Sequence, residues 1–300
     1  MREDPVHTAR DTNDVCKLTE LWLKRIHPAG RTFIMGGWRT PADGNDTYSA
    51  RLTKDYYIAI FETTQQQWFQ LTGKWVSQCS NELWRATRPL DWFYTERLFG
   101  SSGWKWPDDK TLKSGCVLDN LRKRSGLAAI NLPTETQWQF AVCAGPTGGK
   151  ELQRYRDPNG KEYSIADIAR TKENAGTFGV GMGDLDNGSA AVGSYKPNTF
   201  GLYDMLGNVA EDCIDPYVTS AGARAYFAEQ EMTYPVEDFE GVPQTYIKGL
   251  GNNLRETLRT IGFRAASDYN SLWYRTSIYT SYAGDHQPYC RGFRFCVTCE

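Results

Sequence analysis

The stretch from residue 146 to residue 200 is rich in Gly, Asn, Asp and Lys and holds few apolar runs. A structureless connection of that length is foreign to a compact domain, where most connections run about 4–6 residues. The chain therefore has to fold into something that keeps a long irregular segment packed, held by backbone and side-chain hydrogen bonds. The elements on either side read as short. Asp14–Arg25 has apolar spacing for an amphipathic helix. Thr32–Gly36 and Asp55–Phe61 are β-branched and aromatic, as strands are. Glu62–Leu71 reads as a helix capped by Thr63 or Thr64, with Gln66 or Gln67 as reciprocal partner. Leu90–Leu98 reads as another short helix. Thr134 with Gln137 forms a capping box for a helix that Gly145-Pro146 stops. Val218–Gln244 reads as a surface excursion and Thr245–Gly249 as a strand. Short strands, short helices and large loops make an α+β fold.

The chain has 300 residues, and we expect a single domain over 1–300, with residues 1–31 as an N-terminal helical extension. A formal net charge of -2 and a pI near 6.0 argue against a nucleic-acid partner, which calls for a basic face. No apolar run approaches the roughly 18 residues of a membrane span, and the first residues lack a secretory apolar stretch. The eight cysteines are dispersed, and Cys296-x-x-Cys299 is their single close pair. A zinc site needs a second such pair, and a redox pair belongs at a helix start, not after a strand-like run.

Residues 267–291 (SDYNSLWYRTSIYTSYAGDHQPYCR) hold five tyrosines and no Lys, Glu or Met. Tyr with Ser, Asn and Gly is the mixture of binding loops: large contact area for few torsions, beside adaptable small polar groups. The competing reading is an aromatic-rich piece of ordinary core.

Several segments, taken in order, carry a resemblance. Phe33-Ile34-Met35-Gly36, Tyr56–Phe69 (YYIAIFETTQQQWF), Leu132–Ala141 (LPTETQWQFA), Ala191–Glu211 (AVGSYKPNTFGLYDMLGNVAE), Tyr246–Gly249 and Gly292-Phe293-Arg294 resemble the successive motifs of the formylglycine-generating enzyme (sulfatase-modifying factor) family. The resemblance implies a C-type-lectin-like fold: a small twisted antiparallel sheet, flanking helices and much irregular loop. It does not carry the chemistry with it. Family enzymes bind copper through two cysteines, and the matching positions fall near Leu254 and Ser271, with no Cys between Cys213 and Cys290. Copper(I) prefers soft thiolates. Three scattered histidines do not make an iron site either.

A scaffold of this kind with a Tyr-, Ser-, Asn- and Asp-rich C-terminus resembles the variable proteins of diversity-generating retroelements, of the treponemal type. That resemblance implies a non-enzymatic receptor displaying a diversified surface over 267–291. The implied ligand contacts are Asp268, Tyr269, Asn270, Ser271, Tyr274, Ile278, Tyr279, Tyr282, Asp285, Tyr289 and Cys290. Trp273 and Gln287 fall outside the residue set such mutagenesis produces, so they would be fixed positions. The partner expected is a protein or other macromolecule, met at the cell surface or outside the cell through a lipid anchor absent from this sequence. No redox cofactor is expected. Asp184, Asp186 and Asn187 form an oxygen-ligand set of the kind calcium takes; the family resemblance adds weight to that reading, and solvated turn carboxylates are the competing one. Gly179–Gly183 (GVGMG) follows no strand and opens no helix, which argues against a phosphate cradle.

Overall fold

The computed structural model describes residues 15–36, 47–77, 85–91, 98–100, 112–145, 155–156, 161–171, 174–175, 188–216, 218, 220–249, 255–259, 275–279 and 291–299. The strands are β1 Leu23–Ile26, β2 Thr32–Gly36, β3 Thr47–Arg51, β4 Tyr56–Ala59, β5 Ile130–Asn131, β6 Tyr155–Arg156, β7 Glu162–Tyr163, β8 Ala210–Pro216, β9 Val236–Glu237, β10 Arg255–Arg259, β11 Arg275–Tyr279, β12 Arg291–Gly292 and β13 Cys296–Thr298. They form small sheets ordered β1-β4-β13-β5, β11-β10-β8-β12 and β2-β3-β9, with β6-β7 as a separate pair. Pairing is antiparallel except for β12 beside β8 and β9 beside β3. This is the mixed α+β architecture expected from the short elements.

The sheet β1-β4-β13-β5 is covered on both faces. Successive strand residues point to opposite sides, and on β13 Cys296 joins one core while Val297 joins another. The larger core gathers Phe33, Tyr56, Ile58, Trp138, Phe140 and Phe227; the second gathers Trp68, Leu118, Ile130, Phe293 and Phe295.

Two helices follow from local chemistry. Gln65–Thr72 begins at Thr64, whose hydroxyl accepts from the Gln67 amide while the Gln67 side chain accepts from Thr64, and it ends at Gly73 with φ 67°. Glu135–Val142 uses Thr134 and Gln137 in the same way. Every residue of this second helix is buried. Its polar side chains therefore need partners. Gln137 donates to the Thr298 hydroxyl (2.8 Å), Gln139 to the Ile34 carbonyl (2.9 Å) and Trp138 to Glu211 (2.8 Å).

Three expectations are corrected. The helix over Asp14–Arg25 is one turn, Val15–Leu18, and Leu23–Ile26 is strand β1, so the N-terminal extension is only partly helical. β4 takes β1 as its outer partner, with Leu23 opposite Ala59 and Ile26 opposite Tyr56, and that pairing overrides helical spacing. Thr245–Gly249 lies in the helix Gln244–Gly249, not in a strand. Pro243 precedes it, at a position that suits a helix start, and Ile247 is turned into the larger core. The surface excursion over 218–244 contains the helix Ser220–Glu229, whose Ala223 and Phe227 are buried four residues apart. The helix expected over Leu90–Leu98 falls mostly outside the described residues.

Candidate functional site

The 267–291 segment is anchored by the sheet β11-β10-β8-β12. In register, Arg259 of β10 lies opposite both Arg275 of β11 and Glu211 of β8. Arg291 of β12 lies beside Ala210, and Gly292 beside Glu211. The connection 260–274 thus leaves and re-enters the sheet at the Ala210 end of β8, and the connection 280–290 re-enters there as well. Asp268, Tyr269, Asn270, Ser271 and Tyr274 belong to the first connection; Tyr282, Asp285, Tyr289 and Cys290 belong to the second. All nine lie outside the described residues. Ile278 and Tyr279 are on β11, paired with Glu256 and Arg255. Tyr279 is about 13 Å along the strand from Arg275, at the opposite end of the sheet. Strand register therefore brings both ends of the first connection and the closing end of the second to one place, while the second connection leaves from Tyr279 at the opposite end of the sheet, with Ile278 beside it. Asp184, Asp186 and Asn187 are also outside the described residues.

Beneath that place lies a buried ionic floor. Arg291 donates through Nε to both Asp212 oxygens (3.0 and 2.8 Å), with both side chains 2% exposed. Arg294 donates to both Glu211 oxygens (2.7 and 2.5 Å) and neither side chain is exposed. The same guanidinium reaches the carbonyls of Ala59 (3.0 Å) and Tyr203 (3.1 Å). One residue thereby joins the end of β4, the 202–209 turns and β8. Between the two arginines, Gly292 admits no side chain: a Cβ there would stand 2.4 Å from the Leu90 carbonyl oxygen and 2.8 Å from a Val209 methyl.

The turns feeding β8 are built by Asp204 and Asn208, both with positive φ (54° and 58°). Asx residues tolerate that region. Asn208 accepts from the Ala190 amide (2.9 Å) and donates to Glu62 (2.6 Å), so it ties three loops together. Glu62 also accepts from the Val209 amide (3.1 Å). Burial, reinforced by the Asp204 and Glu211 charges, pushes the Glu62 carboxyl well above the carboxylate range. Burial pushes Asp204 up to about 6, against the Gly193 amide and the Arg294 and Lys17 cations. The ion pairs bridge residues 79 and 83 apart in sequence, and reading the sequence segment by segment misses them. A signal for them existed: two acids, Glu211-Asp212, and two arginines, Arg291 and Arg294, each set in an apolar context.

Among the described residues no group of three or more His, Cys, Asp or Glu side chains is disposed to hold a metal ion. Cys296 and Cys299 are free thiols three residues apart along an extended segment, about 10 Å between Cα atoms. A disulfide needs under about 7 Å, so this pair does not close on itself. No described helix is long and apolar enough to cross a membrane.

Comparison with known proteins agrees with this geometry. The family model for sulfatase-modifying factor enzyme 1-like domains matches residues 27–295. A formylglycine-generating enzyme of Thermomonospora curvata is 38% identical over 90 residues, 29% of this chain and 28% of that protein. A serine/threonine-protein kinase pkn1 of Chlamydia pneumoniae is 32% identical over 154 residues, 46% of this chain and 21% of the kinase. The chain thus spans about a quarter of the length of these relatives. Treponema denticola variable protein 1 superposes with a TM-score of 0.55 at 17% identity, covering 92% of this chain and 94% of that one. The fold is the C-type-lectin-like fold of formylglycine-generating enzymes.

Proposed function

We propose a receptor, not an oxidase, for this chain, which belongs to the family of sulfatase-modifying factor enzyme 1-like domains. It presents the Tyr-, Ser-, Asn- and Asp-rich segment 267–291 to a protein or other macromolecular ligand. The observation that carries this reading is convergence. Both ends of the connection 260–274 and the closing end of the connection 280–290 meet at the Ala210 end of β8, beside the Asp212–Arg291 and Glu211–Arg294 pairs. Variable contacts need a rigid base, since a site held loosely loses affinity to ordering. The positions matching the family's copper cysteines, near Leu254 and Ser271, are not cysteine. Diversification by a retroelement, and display at the cell surface through a lipid anchor, complete the reading; the fold shared with the treponemal variable protein supports it.

Two experiments test it. Near-copies of the DNA encoding residues 267–294 are expected beside a reverse-transcriptase gene, differing at adenines; a single-copy locus without that gene removes the retroelement origin. The purified protein, supplied with copper and a cysteine-containing sulfatase-type peptide, is expected to consume no oxygen above buffer. Stoichiometric copper with peptide-dependent oxygen uptake would overturn the receptor assignment in favour of a divergent oxidase.

A further inference from the structure

The buried cluster around Arg294 holds three carboxyl groups, of which burial pushes Glu62 furthest above the carboxylate range. Among the described residues, Glu62, Asp204 and Glu211 face two cations, Arg294 and Lys17. All five side chains are buried. Glu211 is fully served by Arg294 and by the Trp138 indole. Glu62 accepts one N–H at each oxygen, from Asn208 and Val209. Asp204 differs: its Oδ2 accepts from the Gly193 amide (2.6 Å), while its buried Oδ1 accepts no hydrogen bond among the described residues. The groups facing Asp204 are Lys17 from the helix Val15–Leu18, Glu62 after β4, the Tyr195 phenol, Glu211 of β8 and Arg294 before β13. Burial away from water, with one oxygen lacking a donor, favours the protonated form of this carboxyl. Oδ1 of Asp204 is where a proton can sit without displacing an existing hydrogen bond.

We propose that Asp204 makes this scaffold proton-linked: it is protonated on passing from neutral to mildly acidic surroundings, and the 202–209 turns that feed the floor of the candidate site are held more firmly in that state. The inference stands whether or not the site binds a ligand. Its sign follows from the direction of the shift. Burial raises the folded-state value from 3.8 to about 6, so the folded protein holds this proton more tightly than the unfolded chain. The resulting stability is fully present below 3.8 and is lost as pH rises through about 6. Between pH 5 and pH 7.5 the loss amounts to about tenfold in the folding equilibrium constant.

The test uses the whole protein. An amide-shift titration of the Gly193 N–H, which donates to Asp204, should show a midpoint near pH 6, absent in Asp204→Asn. The pH dependence of the unfolding equilibrium between pH 5 and 7.5 should differ by about tenfold between the natural protein and Asp204→Asn. Should Asp204→Asn fail to fold, the natural protein's titration decides alone. A Gly193 shift that is flat over this range overturns the proposal. So does a midpoint near 6 seen only at the Asn208 side-chain amide, because the proton would then reside on Glu62.

Discussion

Replacing Arg294 by Met removes the cation while keeping much of the side-chain volume. In the folded protein the guanidinium makes two contacts to Glu211, at 2.7 and 2.5 Å, and further ones to the carbonyls of Ala59 and Tyr203. Without it, Glu211 and Glu62 remain buried beside Asp204, with Lys17 as the remaining cation. Removing one partner of a buried pair costs about 3–5 kcal/mol, because the other charge is stranded. With a urea slope of about 3 kcal/mol/M, the unfolding midpoint should fall by roughly 1–1.7 M at pH 7.5. Adding Glu211→Gln to Arg294→Met removes the stranded charge and should restore at least about 1 kcal/mol, a coupling read from the double-mutant cycle. A loss under about 1 kcal/mol for Arg294→Met would refute the reasoning, since that is the scale of an exposed pair.

What the sequence disclosed was local. The Thr134–Gln137 capping box was legible because both partners sit within one turn. Asp204 and Asn208 are Asx residues, which tolerate the positive φ they take in the turns before β8. What stayed hidden was nonlocal. Leu23 and Arg25 look helical until β4 claims them as an edge partner. Phe227 looks like part of a surface segment until the helix around it turns it, four residues from Ala223, into the core. The same division runs through the candidate site. Its tyrosines announce themselves by composition. The meeting of three of their connection ends at the Ala210 end of β8 depends on the register of four strands, which no local pattern encodes.

Further outcomes follow from single contacts. Gly292→Ala forces a Cβ against the Leu90 carbonyl and Val209; backbone cannot yield easily, so thermal or urea unfolding should register a loss of about 1–3 kcal/mol. Thr134→Ala removes the hydroxyl that caps Glu135–Val142 and should cost about 1 kcal/mol in the same assay. Under native conditions, alkylation mapped by mass spectrometry should label Cys299, which is partly exposed, and spare Cys296, which is buried and whose thiol burial holds well above its ordinary range.

The claim that 267–291 is a ligand surface and not core is tested most directly by erasing its aromatic side chains together. The variant Tyr269→Ser, Tyr274→Ser, Tyr282→Ser and Tyr289→Ser should keep cooperative unfolding with a stability change of about 2 kcal/mol or less, since exposed substitutions each stay within about 0.5 kcal/mol. Loss of cooperative unfolding would contradict the account, because aromatic residues taken from a core cost about 3–5 kcal/mol apiece.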